Sequence, residues 1–148
     1  MSEPADPAAY RLTVDIPVRF RDTDGMGHVN NAVYLTYLEI ARERYWRERF
    51  GLSDYRKIDL IVARVEIDFR SPARVGDTVV VGIRASAVGR KSFEFTYEGW
   101  EKSDRRLLIS ARSVQVMYDY LTGASKEVSE EVRQGLLSFE APGTITLR

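Results

Sequence analysis

The chain has 148 residues, of which 44% are hydrophobic, enough for one well-covered core and too few for two. Its 22 Lys and Arg residues balance 22 Asp and Glu residues, so no bulk charge attracts nucleic acid or an acidic membrane surface. It has no cysteine and one histidine, which excludes disulfides, thiolate chemistry and cysteine-ligated or multi-histidine metal centres. The absence of cysteine is typical of a reducing compartment, and we expect the cytoplasm.

No apolar run approaches the ~18 residues that a membrane-spanning helix needs, so we expect no membrane segment. The opening residues, 1–9, contain two prolines and two acidic residues instead of the basic and then apolar stretch of a signal peptide. We therefore expect residues 1–9 to form a disordered tail and residues 10–148 to form a single domain.

A strand is predicted from Tyr10 to Phe20, where apolar and polar residues alternate strictly. The apolar residues share one face of this strand: Leu12, Val14, Ile16, Val18 and Phe20. Pro17 falls on the polar side and cannot donate a ladder hydrogen bond, which favours a position at an edge of the sheet or at a bulge.

A long helix is predicted after a polar loop, because apolar residues recur at helical spacing from Tyr34 onward. Asn30 or Asn31 is available as its N-cap, and Gly51 stands where a glycine ends a helix. Four aromatic residues are expected in the core or in a subunit interface: Tyr34, Tyr37, Tyr45 and Trp46. Four charged residues are spaced for ion pairs on a solvated face: Glu39, Arg42, Glu43 and Arg47.

Four more strands and a short helix are predicted in the rest of the chain. Alternation indicates strands near residues 61–69, 79–87, 93–97 and 107–118, and Ser129 can cap a helix that ends near Leu137. Short polar links between strands favour antiparallel neighbours. The order predicts an α+β domain in which one long helix lies on a twisted antiparallel sheet.

The loop before the long helix concentrates chemically useful side chains. Two carboxylates, the single histidine and two amides lie within ten residues: Asp22, Asp24, His28, Asn30 and Asn31. Such residues also build turns and cap helices without any further role.

A calcium loop would match at Asp22, Asp24 and Gly27. It fails because Met26 and Val33 stand where oxygen ligands are needed. We therefore expect no metal site.

One motif covers this loop and the start of the helix, and it reads RFRDTDGMGHVNNAVYL from Arg19 to Leu35. It resembles the signature of hotdog-fold acyl thioesterases of the 4-hydroxybenzoyl-CoA thioesterase type. The resemblance extends through the helix, residues 68–73 and 76–77, and the turn at 89–92, and so spans about residues 10–118. It implies a hotdog fold, in which a five-stranded antiparallel sheet wraps a long central helix. It also implies an acyl-CoA thioesterase that needs no cofactor beyond the CoA of its substrate.

The resemblance assigns roles to loop residues. Asp24, the second aspartate of the pair, matches the family's catalytic carboxylate, and Asp22 is then structural. The backbone N–H of Asn31 matches the oxyanion contact, which agrees with the positive end of a helix dipole facing a developing oxyanion. His28 is a secondary candidate, because a histidine assists the aspartate in the similar plant acyl-carrier-protein thioesterases. Those enzymes have an asparagine where this chain has Met26.

The resemblance further implies that Arg90, Lys91 and Ser92 bind CoA phosphates, although a basic hairpin tip is more often simply solvated. It also implies a homodimer or homotetramer with sites formed between subunits. Apolar residues on the second faces of strands favour the same assembly: Val80, Val88, Trp100, Val114 and Val116.

Two other functions remain compatible with this reading. One is a non-catalytic acyl-binding or assembly domain, because a fold does not fix a function. The other is a hydratase or dehydratase, which would change an acyl double bond without releasing a thiol. The preferred acyl group is not visible in the sequence.

Overall fold

The computed structural model describes residues 4–52 and 59–148. In chain order the elements are β1 Leu12–Pro17, α1 Val33–Phe50, β2 Leu60–Phe69, β3 Thr78–Val88, β4 Ser92–Glu101, β5 Leu107–Asp119, β6 Ala124–Ser125, α2 Glu130–Phe139 and β7 Thr146–Leu147. Short 3-10 turns at Pro7–Ala9 and Phe20–Asp22 flank β1. Within these ranges, neither helix is both long and apolar enough to cross a membrane.

The five long strands form one antiparallel sheet in the order β1-β3-β4-β5-β2. Two short strands extend it: β6 pairs with β5, and β7 runs parallel to β3. Helix α1 packs over β1 and β3, and α2 follows as the predicted closing helix, with the Ser129 hydroxyl accepting the Val132 N–H at 3.2 Å. The α+β hotdog architecture is therefore confirmed.

The alternation in β1 places its apolar side chains in the core beneath α1, as expected. Phe20 is the exception and is 84% exposed, because the chain leaves the strand and turns at Phe20–Asp22. Pro17 lies on an edge strand, as its missing N–H requires.

Helix α1 buries one aromatic-rich face, made of Tyr34, Tyr37, Leu38, Ala41, Tyr45 and Trp46. It ends at Gly51, whose φ of +67° is the left-handed conformation that favours glycine. The start differs from expectation, because the N-cap residue is Ala32. Asn30 still contributes, since its side-chain oxygen accepts the Ala32 N–H at 2.9 Å. Arg42 was expected in solvent, yet it is half-buried and donates to the Tyr97 hydroxyl at 3.2 Å.

The N-terminal segment, expected to be disordered, packs on the outer face of the sheet from residue 4 onward. The Ala5 N–H donates to the Arg105 carbonyl at 3.1 Å, and a Cβ at Gly82 would lie 2.5 Å from the Tyr10 ring. This segment covers Val80 and Trp100, and Val88 lies in the main core, so the expectation that these three residues are available for assembly on a second face of the sheet is wrong. The division into a tail and a domain from residue 10 stays a prediction.

Candidate functional site

The loop between β1 and α1 is an ordered small hairpin. The Asn30 N–H donates to the Asp22 carbonyl at 2.9 Å, and the Asp24 N–H donates to the His28 carbonyl at 2.8 Å. Gly27, with φ of +78°, turns the chain between them. The returning arm pairs with the β2–β3 connection, because the Val29 N–H donates to the Ala73 carbonyl at 2.8 Å. The loop is thus held between α1 and that connection.

Asp22 anchors the base of this hairpin and is only 2% exposed. Its carboxylate accepts hydrogen bonds from the Arg19 side chain at 2.8 Å, the Arg19 N–H at 3.0 Å and the Tyr37 hydroxyl at 2.8 Å. Burial opposes ionisation, but these donors outweigh it, so the pKa of Asp22 lies below its ordinary value. Asp22 is therefore a structural anchor that ties the loop to α1.

Asp22→Ala should lower the free energy of unfolding by at least about 2 kcal/mol, because it leaves the buried Tyr37 hydroxyl without its acceptor. Urea denaturation at neutral pH measures this loss. Since the pKa of Asp22 is lower in the folded protein, its contribution is present above the unfolded pKa and is lost as pH falls through the folded pKa. Asp22→Asn should therefore lose less stability than wild type on acidification. Equal acid sensitivity of the two proteins would contradict the anchor role.

Asp24 is exposed, and backbone N–H groups of the same loop orient its carboxylate. One carboxylate oxygen, Oδ1, accepts the Met26 N–H at 2.8 Å and the His28 N–H at 3.3 Å. The other oxygen, Oδ2, has no hydrogen-bond partner among the described residues. The loop thus holds a carboxylate in one orientation and leaves one oxygen available.

A cleft of about 300 Å³ opens beside this carboxylate at the start of α1. Its walls are Asp24, His28, Val29, Asn31, Tyr34, Phe69, Arg70, Ser71 and Pro72. The cleft brings together the three residues that the sequence singled out for chemistry. Within the described ranges, the Asn31 N–H donates no hydrogen bond, whereas the N–H groups of Asn30, Ala32 and Val33 all do. Asn31, whose N–H donates to no described residue, therefore lines the same cleft as Asp24.

Tyr34 forms part of the cleft wall and is only 3% exposed. Its hydroxyl has no hydrogen-bond partner within the described part of the chain. Burial raises its pKa to about 12, so the phenol stays protonated at neutral pH. Its ring meets Tyr37 edge-to-face at 5.6 Å and lies 5.8 Å from Phe69, which is half exposed. Tyr34 is a core residue, as expected, and it also shapes the site.

Arg74 reaches the cleft histidine from the β2–β3 connection. Its Nη2 lies 3.3 Å from Nε2 of His28, and the two residues face each other in an isolated antiparallel bridge. Sequence reasoning missed this contact, because residues 46 positions apart carry no local signal of pairing. The histidine is therefore flanked by the loop on one side and by an arginine on the other.

Comparison with known proteins decides the family. The profile described as "Thioesterase-like superfamily" matches residues 18–136. The chain belongs to the thioesterase-like superfamily. The match contains the loop, α1 and the long strands β2, β3, β4 and β5, and only β1 of the long strands lies outside it. It therefore includes the whole cleft.

Relatives of this thioesterase-like protein cover most of its length. It is 32% identical to a thioesterase from Thermus thermophilus whose structure holds coenzyme A and Zn; the match covers 89% of this chain and 96% of that one, with a TM-score of 0.81. A 1,4-dihydroxy-2-naphthoyl-CoA hydrolase of Trichodesmium erythraeum is 25% identical, over 83% of this chain and 93% of its own. A chloroplastic acyl-acyl carrier protein thioesterase of Arabidopsis thaliana is 27% identical, over 72% of this chain and 57% of its own.

The basic turn of this thioesterase-like protein lies far from the cleft within one chain. The Gly89 N–H donates to the Ser92 carbonyl at 2.8 Å and closes the β3–β4 hairpin, from which the exposed Arg90 lies 3.7 Å from Glu127. Backbone contacts of Arg90 and Lys91 fix the tip against Val128 and Met117. The cleft lies near the other end of β3, and its 11 residues span roughly 33 Å at about 3.3 Å per residue. The structure therefore does not bring Arg90, Lys91 and Ser92 to the Asp24 cleft of the same chain.

Proposed function

We propose that this thioesterase-like protein hydrolyses an acyl-CoA thioester to a free acid and CoA at the cleft beside α1. The observation that carries the proposal is that one cleft is lined by Asp24, whose Oδ2 has no hydrogen-bond partner among the described residues, and by Asn31, whose N–H donates to none of them. Membership in the thioesterase-like superfamily supports the same chemistry.

The reaction uses the two groups for complementary tasks. The free oxygen of Asp24 either attacks the thioester carbonyl carbon, giving a mixed anhydride that water opens, or removes a proton from the attacking water. In both routes the carbonyl oxygen becomes an oxyanion, and the CoA thiolate leaves when the tetrahedral intermediate collapses. The Asn31 N–H and the positive end of α1 stabilise that oxyanion. No cofactor is needed beyond the CoA of the substrate.

Coenzyme A is the carrier that we propose. The Thermus thermophilus relative was crystallised with coenzyme A, and the Trichodesmium erythraeum relative is named for a CoA thioester. The Arabidopsis thaliana relative is named for acyl carrier protein, and the match covers 57% of its length, against 93% for the Trichodesmium erythraeum relative. We further propose a cytoplasmic location, which fits the absence of cysteine.

Thiol release tests this function directly. Purified protein is offered short, long and aromatic acyl-CoAs, and the same acyl groups on acyl carrier protein, and free thiol is followed with a thiol reagent. Release from at least one acyl-CoA supports the proposal. Release from acyl carrier protein alone would overturn the choice of carrier, and a changed acyl double bond without thiol would indicate a hydratase. Binding without any conversion would make this a non-catalytic acyl-binding domain.

We also propose that two copies pair through β2. This strand is an edge of the sheet, and it exposes Ile61, Val62 and Phe69 to solvent. An apolar edge strand of 10 residues offers unpaired backbone groups to another strand, and a second copy related by two-fold symmetry satisfies both edges at once. The assembly is then a homodimer, with a homotetramer as its further association.

Pairing through β2 would also complete the substrate site. The strand begins beside the basic turn, since Leu60 pairs with Met117 and the Met117 N–H donates to the Lys91 carbonyl. It ends at Phe69 in the cleft wall. Antiparallel pairing of two β2 strands therefore brings the start of one next to the end of the other. Lys91 of the partner subunit would then approach this cleft, which accounts for the distance within one chain.

Light scattering should give a mass of at least twice 16.9 kDa at micromolar concentration. Ile61→Lys should shift the protein towards monomer and lower its thioesterase activity, because a charge at an exposed edge opposes strand pairing. Leu147→Lys is the matched control, since Leu147 is exposed on β7 at the opposite side of the sheet. A wild-type monomer, or equal effects of the two substitutions, would contradict dimerisation through β2.

A further inference from the structure

Arg74 is held opposite His28 by its backbone as well as by its side chain. The two residues form an antiparallel bridge, and the Val29 N–H donates to the Ala73 carbonyl beside them at 2.8 Å. On its other side Arg74 is fixed by Asp77, whose carboxylate accepts the Arg74 N–H at 2.9 Å and whose N–H donates to the Arg74 carbonyl at 3.0 Å. The backbone of Arg74 is therefore fixed directly across from His28, within reach of its side chain.

The chemistry of the two side chains determines which ring nitrogen carries the proton. A guanidinium has only N–H donors and no acceptor. A hydrogen bond across the 3.3 Å between Nη2 of Arg74 and Nε2 of His28 requires Nε2 to be the acceptor, without a proton. An imidazolium has N–H on both nitrogens and could not accept this hydrogen bond. The neutral ring must place its single proton on Nδ1, and the bond at one nitrogen fixes the role of the other.

We infer that Arg74 is a positioning residue that holds His28 as the Nδ1–H tautomer, so that the ring offers the bound thioester a hydrogen-bond donor and no base. This assignment removes His28 from competition with Asp24 for a proton from water, because its only lone pair is engaged. The Nδ1–H can donate to an oxygen of the substrate, including the carbonyl that becomes the oxyanion. The kinetic part of the inference rests on the proposed thioesterase function, whereas the tautomer does not.

The tautomer can be measured without ambiguity, because His28 is the single histidine of the chain. In ¹⁵N-labelled protein, at a pH where the ring is neutral, Nδ1 should resonate as a protonated nitrogen and Nε2 as an unprotonated one. Free neutral histidine favours the opposite tautomer in water. Arg74→Met should return the ring to the Nε2–H form, and Arg74→Lys, which keeps a donor, should restore part of the Nδ1–H form. Arg21→Met, at an exposed arginine of the same loop, should change nothing. An Nε2–H ring in the wild-type protein overturns the inference.

Kinetics then separate positioning from a structural role. Arg74→Met should lower kcat about fivefold with little change in KM, the effect expected for one hydrogen bond of about 1 kcal/mol. In a His28→Ala background the same substitution should cost nothing further, because Arg74 acts through the histidine. An equal loss in both backgrounds would show that Arg74 acts elsewhere and overturns the inference. Absence of thiol release from every acyl-CoA overturns the proposed function instead, and the ¹⁵N result still decides the tautomer.

Discussion

Asp24→Asn should lower kcat for acyl-CoA hydrolysis by at least about 100-fold while the protein stays folded. The asparagine is nearly the same size, and its amide oxygen can still accept the Met26 and His28 N–H groups that orient the aspartate. The loop should therefore keep its shape. What is lost is the free anionic oxygen, because a neutral amide neither attacks a thioester nor takes a proton from water. Steady-state thiol release measures the change.

Two controls make this expectation specific. Asp15→Asn makes the same chemical change at an exposed carboxylate on β1, where Lys102 is its partner, and should leave kcat unaltered. His28→Ala should reduce kcat less than Asp24→Asn, because a donor contributes less than the group that performs the chemistry. Thermal unfolding of each variant checks that folding is intact. Near-normal turnover of a folded Asp24→Asn protein would remove Asp24 from the reaction.

Local periodicity made much of the fold predictable. The alternation in β1 and the helical spacing in α1 follow from which side chains can be buried on one face, and such patterns are complete within a few residues. The same holds for Gly51, where the left-handed turn that ends α1 favours glycine. These local rules were sufficient to place the polar loop before a helix start. The family resemblance then singled out Asp24 and Asn31 within it, and both line one cleft in the structure.

Contacts between distant parts of the chain could not be anticipated in this way. The pairing of His28 with Arg74 and the packing of Tyr10 over Gly82 depend on tertiary structure, and each residue alone looks like an ordinary surface or strand position. Strand β7 has two residues, too few for any alternation to appear. Phe20 fits the alternating pattern of β1, but the strand has already ended there. The chain turns at Phe20–Asp22, where the Asp22 carboxylate accepts the Arg19 N–H, and the pattern alone does not show this turn.

Replacing Arg90 and Lys91 together by alanine should raise KM for acyl-CoA about fivefold or more, with little change in kcat. Contacts to the remote nucleotide are shared by the ground state and the transition state, so their loss weakens binding without slowing the chemical step. The wild-type KM should also rise with ionic strength, because exposed charge pairs are screened by salt. The double variant should lose most of that salt dependence.

A short thioester without the nucleotide provides the control for this variant. Its hydrolysis should be indifferent both to the two substitutions and to salt, since it carries no phosphates. Unchanged acyl-CoA kinetics in the double variant would leave the turn as a solvated hairpin tip. The assignment of Asp24 would stand in that case, because it rests on the geometry of the cleft and not on the turn.

Mixing two defective proteins tests whether the basic turn serves the partner's cleft. The Asp24→Asn protein keeps Arg90 and Lys91, and the double-alanine protein keeps Asp24. If each cleft uses the turn of the partner subunit, a mixed dimer contains one intact site and one doubly defective site. Statistical exchange of subunits makes half of the dimers mixed, so a quarter of all clefts are intact. With the residual activity of the double-alanine homodimers, kcat/KM at low salt should reach roughly 25–30% of the wild-type value. If each cleft used its own turn, no mixed dimer would contain an intact site. Only the residual activity of the double-alanine clefts would then remain, at most about a tenth of the wild-type kcat/KM. The length of β3, roughly 33 Å, separates the turn from the cleft within one chain and favours recovery.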